Sequence, residues 1–425
     1  MGDSDSIRDL LVRGVAAAKG GSKDEARFFL EWVLRAGASE DEKTEAYWWL
    51  SQVSEDPSEV RRCLEEVLAR QSSHPRARRA LAVLDGRLAP SSIVDPDRLP
   101  PVLSEGEGPA PSVVSDEASR RFFCPQCGGR LRATADALWL GCDYCGWRRS
   151  LKTGQAAPEQ DFVVAMATAR GHRRPQRMRS FRCRACGAPF ILSAEMLSFT
   201  CPYCASAHAV EHAESEDLVP PDAFLPFANV KPEAAAENGL RKSAHDVRTW
   251  LGLYLPLWSF DLSGEVPWKG VREDSRNQTR ETVTGSMLVL EKDHLVPATR
   301  RLPEAWARPA LTYSCDGLRP FRTEILADWP AETYQVPMSD AAVAAHAEVF
   351  ATVRDHARTD VPADLRNVRF DSTRFGFDSF QLILAPAWLG LSGGASPRPI
   401  VVVNGQSGAI ATERGRRGTR SRSAE

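Results

Sequence analysis

The chain has 425 residues, of which 26% are charged, and a formal net charge of −2 at pH 7. This length exceeds one ordinary core, so two to four domains are expected. The opening residues, MGDSDSIRDL, lack the basic and apolar regions of a secretion signal. The longest near-apolar run, FQLILAPAWLGL, is shorter than the roughly 18 residues that a membrane helix needs. These features predict a cytoplasmic protein without a membrane span, whose cysteines stay reduced and favour metal over disulfides.

Residues 1–88 contain an internal repeat. RFFLEWVLR begins at Arg27 and RRCLEEVLA begins at Arg61, a shift of 34 residues (61 − 27), with five of nine positions identical. Further helical segments, DLLVRGVAAAK, TEAYWWLSQVS and PRARRALAVLDG, lie around them, and Pro57 after Asp56 marks a helix start. A 34-residue period with two helices per repeat is typical of tetratricopeptide arrays, which bind peptides in a groove. We therefore expect a tetratricopeptide-like all-α repeat that binds a protein or peptide partner.

The alternative is that this array only packs against its own chain. Tyr47, Trp48 and Trp49 are equally compatible with a core and with a ligand platform, whereas Cys63 is expected to be a buried small residue. Apolar residues recur at helical spacing in both repeats, which predicts the face that each helix buries. These residues are Phe29, Trp32, Val33, Leu64, Val67 and Leu68. Residues 89–119, which are rich in proline and have no helical period, are predicted to be a flexible linker.

Eight of the ten cysteines form two quartets with identical spacing. Two residues separate the cysteines within each pair, and fourteen separate the pairs. The first quartet is Cys124, Cys127, Cys142 and Cys145, and the second is Cys183, Cys186, Cys201 and Cys204. Each CxxC turn aims two sulfurs at one point, and a hairpin between the pairs completes a tetrahedron around zinc. We therefore predict two small β zinc ribbons, at residues 120–154 and 181–214.

Each predicted zinc ion is structural, because four thiolates leave no coordination position for substrate or water. Disulfides and an iron–sulfur centre are the alternatives, and the predicted compartment disfavours the disulfides. Glycine follows three of the four pairs, where a positive φ is often needed, and Ala205 stands in the fourth place. Two His-Ala-Glu triplets, beginning at His212 and His346, resemble part of a deaminase signature. Both follow every cysteine pair, which is the reverse of the required order, so we interpret them as coincidence.

Residues 155–180 form a basic segment between the ribbons. Arg120 to Arg184 contain fourteen Lys or Arg and four Asp or Glu. Arginines in the densest run are candidate nucleic-acid contacts, with nearby aromatic residues to stack on bases. The arginines are Arg173, Arg174, Arg177 and Arg179, and the aromatics are Trp139, Trp147, Phe181 and Tyr203. The alternative is a solvated face, and the basic tail at residues 413–425, which is predicted to be disordered, leaves the same two readings open.

Residues 219–412 are long enough for a core of their own. GLYLPLWSFDLSGEVPWKGV alternates like a hairpin or meander, and ETVTGSMLVLEKDHLV, FDSFQLILAPAWLGL and RPIVVVNGQSGAIATE supply further strands. The last of these turns at residues 404–408, and a helix capped by Ser339 is predicted over 339–358. Strands without regular βαβ alternation indicate an α+β domain with an antiparallel sheet. Trp250, Trp258 and Trp268 are predicted to be core residues.

GLYLPLWSFDLSG, QLILAPAWLG and VVVNGQSGAI, placed after two cysteine quartets, resemble a bacterial family of tandem zinc-ribbon proteins of unknown function. Some of its members carry helicase-like or primosomal labels. The resemblance covers roughly residues 120–412 and implies kinship without an activity. The chain has no GxxxxGK[ST] motif, so a helicase function is not expected.

The sequence favours a non-enzymatic, zinc-binding modular adaptor for protein–protein interactions. One alternative is a nucleic-acid-binding protein that uses the basic ribbon region. A second alternative is an enzyme with its site in the C-terminal domain, for which Cys315 with His346 or His356 is the only thiol–imidazole candidate.

Overall fold

The computed structural model describes residues 3–93, 124–127, 131–133, 139–142, 144–150, 157–167, 176–192, 198–209, 214–240, 247–274, 279–303, 311–322, 325–326, 329–394 and 397–412. Most of the predicted linker, Arg173, Arg174, His212 and the basic tail lie outside these residues.

Five helices form the N-terminal region. They are α1 (Asp3–Lys19), α2 (Lys23–Arg35), α3 (Glu40–Val53), α4 (Pro57–Arg70) and α5 (Pro75–Leu84). A reciprocal capping box between Ser39 and Glu42 starts α3. As predicted, Pro57 opens α4, and the Asp56 side chain accepts a hydrogen bond from the Ser58 amide. Connections of three or four residues join these helices.

The two halves of the internal repeat bury the same positions. Leu30 and Leu64, which are 34 residues apart, are both fully buried, and Val33 and Val67 show the same equivalence. Cys63 is buried among these side chains, as predicted. Trp48 packs in the core with Leu64 and Val67.

The other two aromatic residues of α3 are held within the chain. Tyr47 and Trp49 are half-buried. The guanidinium of Arg70 lies 4.9 Å from the centre of the Tyr47 ring, and Trp49 Nε1 donates to Glu45 at 2.7 Å. Intramolecular packing therefore accounts for the three aromatic residues that were candidates for a ligand platform.

Eighteen strands are present in the described part of the chain. They are β1 (Leu131–Ala133), β2 (Trp139–Cys142), β3 (Arg148–Ser150), β4 (Gln160–Asp161), β5 (Gln176–Arg182), β6 (Pro189–Ile191), β7 (Ser198–Thr200), β8 (Ala207–Ala209), β9 (Glu214–Leu218), β10 (Ala223–Phe224), β11 (Val247–Asp274), β12 (Thr279–Pro297), β13 (Arg319–Pro320), β14 (Ala331–Glu332), β15 (Leu365–Phe370), β16 (Phe375–Ser392), β17 (Pro399–Asn404) and β18 (Ile410–Thr412). The three helices among them are α6 (Phe162–Ala167), α7 (Pro232–Leu240) and α8 (Met338–Asp360).

Two long strands form the spine of the C-terminal region. Strand β11 pairs antiparallel with β16 on one side and with β12 on the other. The segment predicted as a hairpin or meander is instead the single strand β11, which continues through an irregularity between Phe260 and Leu262. Gly264 permits this continuity, because a Cβ there would lie only 2.4 Å from the Arg374 carbonyl oxygen.

The large sheet is mixed, which corrects the predicted antiparallel sheet. Strand β10 is parallel to β16, and β14 is parallel to β11. Strands β17 and β18 form the predicted hairpin, in which the Gly408 amide donates to the Asn404 carbonyl at 2.9 Å. The short parallel strands β10 and β14 pair with strands that are distant in the sequence. Such pairings produce no periodic pattern in the sequence, so they were not predicted.

Helix α8 packs on one face of this sheet. It begins at Met338 after Pro337, with no side-chain cap, so the prediction that Ser339 caps the helix is wrong. Its alanine-rich face contacts Trp258, which is buried as predicted, and Val289. Trp250 and Trp268 are partly buried and lie against Gly390 and Gly285. No described helix is both long and apolar enough to span a bilayer.

The helical region contacts the sheet directly. Arg78 of α5 donates to the Phe377 carbonyl and to Asp378 at the start of β16. The side chain of Arg374 also forms an ion pair across this interface, with Asp41 of α3. Buried Ala82, Leu88 and Ala167 join the helices to α6. The helical region and the sheet therefore share an interface that is partly ionic and partly apolar.

Candidate metal centres

The first quartet lies around a small three-stranded sheet. Strands β1 and β2 form the predicted hairpin between its two CxxC pairs. The Cys142 amide donates to the Trp147 carbonyl at 2.8 Å, and the Gly146 amide donates to the Cys142 carbonyl at 3.0 Å. Gly146 has a φ of 72°, as this tight turn requires. Backbone hydrogen bonds thus hold the second pair in a knuckle that points both thiols inward.

The second quartet repeats the knuckle geometry but departs from the predicted hairpin. The Gly187 amide donates to the Cys183 carbonyl at 2.8 Å, and the Ala205 amide donates to the Cys201 carbonyl at 2.9 Å. Ala205 adopts a positive φ of 55° in the place where the other pairs have glycine. Strand β6 pairs with β5 and β14, and β7 pairs with β8, so the described strands do not form the predicted β6–β7 hairpin. The apolar run in β6 is buried in the large sheet instead.

Both quartets have the geometry of a tetrahedral metal site. All sulfur atoms within each quartet lie within 4.8 Å of one another. The closest pairs are 3.4 Å apart in the first quartet and 3.6 Å apart in the second. A tetrahedron with metal–sulfur bonds of about 2.3 Å has edges of about 3.8 Å. None of the eight cysteines is in a disulfide, so every thiol is available as a ligand.

Local hydrogen bonds favour the thiolate form at one cysteine of each quartet, whereas burial raises the pKa of the Cys186 thiol to about 11 and that of the Cys201 thiol further. In the first quartet, a hydrogen bond from the Trp147 amide acts to lower the pKa of the Cys145 thiol, but burial and the neighbouring thiols outweigh it and raise that pKa to about 12. Backbone amides of Cys145 and Tyr144 lower the pKa of the Cys142 thiol to about 7. Burial acts to raise the pKa of the Cys183 thiol. Hydrogen bonds from the Ser206 hydroxyl and the Cys186 amide outweigh this effect and lower that pKa to about 5. Thiolates are the form that binds metal, so Cys142 and Cys183 are the cysteines whose surroundings favour that form before a metal binds.

Two polar side chains near the second quartet were not identified from the sequence. Ser206 Oγ lies 3.0 Å from Cys204 Sγ, and His208 Nε2 lies 3.1 Å from Cys183 Sγ. Ser206 Oγ and His208 Nε2 are 2.8 Å apart. Ser206 and His208 lie close to the ligands because β8 pairs with β7. A Ser-x-His triplet after a CxxC pair does not by itself indicate residues near a metal site, so the sequence could not identify these two.

The second quartet is built into the large sheet. The buried aromatic residues Phe181, Phe190 and Phe199 surround it and continue into the core below β11 and β16. The Tyr203 hydroxyl, between Cys201 and Cys204, donates to Glu332 of β14. Arg301 donates from both terminal nitrogens to the Cys186 carbonyl, each at 3.3 Å.

Glu332 is completely buried and accepts further hydrogen bonds from Thr299 and Gln335. Burial is the largest influence on its carboxyl group and raises the pKa of Glu332 to about 7. A buried polar network therefore ties both knuckles of the second quartet to the sheet.

The first quartet has little such support among the described residues. Its apolar cluster contains Leu131, Leu140 and two of the cysteines, with Trp147 packed against them. Cys127 and Cys145 are exposed, whereas no cysteine of the second quartet is. Strands β1–β3 form a separate sheet. The two quartets have the same spacing but lie in very different surroundings.

The predicted nucleic-acid residues are not brought together as a single surface in the described chain. Arg173 and Arg174 lie outside the described residues, and Arg177 and Arg179 are in β5. The backbone register places Arg177 opposite Asp217 and Arg179 opposite Ser215 of the acidic strand β9. Of the four aromatic residues, Phe181 and Tyr203 are buried, Trp147 is partly buried, and only Trp139 is exposed.

The thiol–imidazole candidate is not assembled either. Burial, followed by the nearby Asp293, raises the pKa of the Cys315 thiol to about 12. The His346 ring stacks on Phe375 with 4.1 Å between centroids, in the core cluster beneath α8. His356 is exposed at the far end of that helix. Glu348, from the second His-Ala-Glu triplet, pairs with His294 at 3.3 Å.

The helical region presents an exposed aromatic pair that the sequence analysis missed. Phe28 and Trp32 on α2 are 55% and 47% exposed, with their ring centroids 5.7 Å apart. The helical period had placed Trp32 on the buried face, which is wrong. Aligning the repeats would have shown the difference, because Phe28 and Trp32 correspond to Arg62 and Glu66.

Comparisons of this chain with protein-family models, with curated proteins and with solved structures gave no match.

Proposed function

We propose that both quartets bind zinc as a structural ion and that the chain is a non-enzymatic adaptor with a protein partner. The observation that carries the proposal is the closed set of four thiols at each centre. A zinc ion bound by four thiolates has no position left for water or substrate, so its contribution is to folding. Small ribbons need this contribution, because their apolar cores are too small to fold alone.

The helical region is the adaptor module in this proposal. Helices α2 and α4 begin 34 residues apart (57 − 23), which matches the sequence repeat and supports a tetratricopeptide-like array. The resemblance to tandem zinc-ribbon proteins remains part of the proposal and supplies no activity.

Phe28 and Trp32 form the surface on which we place the partner. The equivalent positions in the next repeat are the charged residues Arg62 and Glu66, the usual composition of a solvated helix face. Exposed aromatic side chains at the centre of an interface supply much of its binding energy. A peptide or helix with apolar side chains is the partner that fits this pair.

The test compares proteins captured by the full-length chain with those captured by two variants. Phe28→Ala with Trp32→Ala removes the aromatic pair, and Arg62→Ala with Glu66→Ala is the matched control on α4. We expect a protein bound by wild type and by the control to be lost from the aromatic variant, with affinity falling by about 30-fold or more. Equal capture by all three chains would contradict the proposed surface.

A further inference from the structure

The two ribbons differ in charge as well as in burial. Residues 120–154 contain seven Lys or Arg and two Asp or Glu, whereas residues 181–214 contain two and three. A tetrathiolate zinc centre adds −2 to each. The net charges are then +3 (7 − 2 − 2) for the first ribbon and −3 (2 − 3 − 2) for the second. The first ribbon is therefore the more favourable of the two for an anionic partner.

The first ribbon also carries exposed aromatic side chains next to arginines. Trp139 of β2 is 40% exposed, and Tyr144, in the turn after β2, is 82% exposed. Arg148 and Arg149 of β3 are exposed as well. Arg149 lies opposite buried Leu140 and is therefore on the other face of the sheet from Arg148. We call Trp139, Tyr144 and Arg148 the platform.

The strand register places members of the platform side by side. Trp139 lies opposite Ser150, and Gly141 lies opposite Arg148. Trp139 and Gly141 are two residues apart on one strand, so they share a face of the sheet with Arg148. A Cβ at Gly141 would lie 3.9 Å from Arg148 Cγ, so Arg148 passes over the glycine beside the tryptophan.

We propose that the platform binds single-stranded nucleic acid. Trp139 and Tyr144 stack on bases, while Arg148 contacts a phosphate. Stacking on exposed rings requires unpaired bases, so a single strand fits better than a duplex. The positive charge of the ribbon favours a nucleic acid over an apolar protein segment.

The proposal goes beyond the adaptor function and locates binding away from the inter-ribbon arginines. In the strand register, Arg177 of β5 lies opposite the acidic residue Asp217 of β9. The second ribbon cannot provide an equivalent platform, because its aromatic residues Phe181, Phe199 and Tyr203 are buried. The second quartet is thus part of the main core, whereas Trp139 and Tyr144 beside the first quartet remain exposed.

The test measures fluorescence anisotropy of a labelled oligothymidylate with the full-length, zinc-loaded chain at several salt concentrations. We expect saturable binding at low salt. Trp139→Ala and Tyr144→Ala should each weaken it by about 5- to 150-fold. Arg148→Ala should reduce the slope of log affinity against log salt by about 0.7, the value for one phosphate contact to a single strand. An unlabelled duplex should compete less well than the single strand.

Arg62→Ala, at an exposed position of the helical region outside the partner surface, is the matched control and should leave binding unchanged. Each variant should retain the zinc content of wild type, which shows that the ribbons remain folded. Absence of saturable binding at low salt would overturn the proposal. Binding that survives the platform substitutions but is lost in Arg177→Ala with Arg179→Ala would also overturn it. Loss of a captured protein from the platform variants, without nucleic-acid binding, would identify a protein interface instead. None of these results depends on capture through Phe28 and Trp32.

Discussion

Substitution of one cysteine in each quartet should separate the roles of the two centres. Cys142 and Cys201 occupy the same position in their quartets and are equally buried, at 4% and 0% exposure. Replacing either with serine removes one thiolate ligand with little change in volume. Any difference between the two variants must therefore arise from what surrounds each centre.

The expected difference follows from the packing of the two centres. Structural zinc in comparable small sites contributes about 10–16 kcal/mol of apparent binding free energy, compared with about 5–15 kcal/mol for the stability of a whole domain. Cys201 belongs to the apolar cluster that includes Phe190 and Leu255 of the large sheet. If a third of this binding free energy stabilises the large sheet, Cys201→Ser lowers the free energy of unfolding of the sheet by about 3–5 kcal/mol. At about 2–4 °C per kcal/mol, its Tm falls by about 6–20 °C.

Cys142→Ser should leave the sheet almost unchanged, because the cluster around Cys142 is confined to the first ribbon. Differential scanning calorimetry measures the Tm, and hydrogen exchange of peptides from β11 and β16 locates the loss. We expect faster exchange in these strands for Cys201→Ser only. Equal losses in the two variants, or none in either, would refute the argument that the second centre supports the sheet.

Three further predictions concern the metal, the buried carboxylate and the contact between regions. Elemental analysis of the purified chain should find two zinc ions, and Cys124→Ser should retain one; zero or one ion in wild type, or an iron chromophore, would contradict the zinc assignment. Burial raises the pKa of Glu332 to about 7 from 4.5, so the stability that this group contributes is complete below pH 4.5 and is lost as the pH rises through 7. The loss is about 3 kcal/mol and is measurable as a urea midpoint that falls between pH 5 and 8. Glu332→Gln should abolish this part of the dependence of the midpoint on pH. Equal pH dependence in wild type and Glu332→Gln would contradict a buried carboxylic acid at this position. Arg78→Ala removes hydrogen bonds to Asp378 and the Phe377 carbonyl, so it should lower the free energy of association of the helices with the sheet by about 1–3 kcal/mol. Arg79 is exposed, so Arg79→Ala should change this free energy little. Equal protease sensitivity of the two variants would count against the described contact.

Local spacing was sufficient to predict the parts of the chain that depend on near neighbours. The 34-residue shift identified two matching segments, in which the apolar residues Val33 and Val67 are both buried, and Pro57 after Asp56 marked the start of α4. The cysteine spacing identified both quartets, and Asn404 with Gly408 identified the last hairpin. Each of these features depends on fewer than about forty consecutive residues, so distant parts of the chain did not change the outcome.

Predictions that depended on distant partners failed where those partners decided the outcome. The segment β11 alternates like a hairpin, but pairing with β16 along most of its length keeps it straight. Strand β6 would complete a hairpin in an isolated ribbon, yet β14 pairs with it instead. Trp32 has the spacing of a core residue and lies exposed, because no element of the described chain covers that face of α2.

N-terminal helices, two thiol quartets and a strand-rich C-terminal region were all predictable from residue order, because turn chemistry, ligand spacing and hydrophobic period act over short distances. Pairing between distant strands places the second quartet in the core of a mixed sheet, while the first lies in a separate small sheet with Trp139 and Tyr144 exposed. The spacing of the two quartets is identical, so no local pattern could distinguish them. The physical reason is that burial is set by which strands pair across the chain, and those partners lie more than a hundred residues from the cysteines they cover.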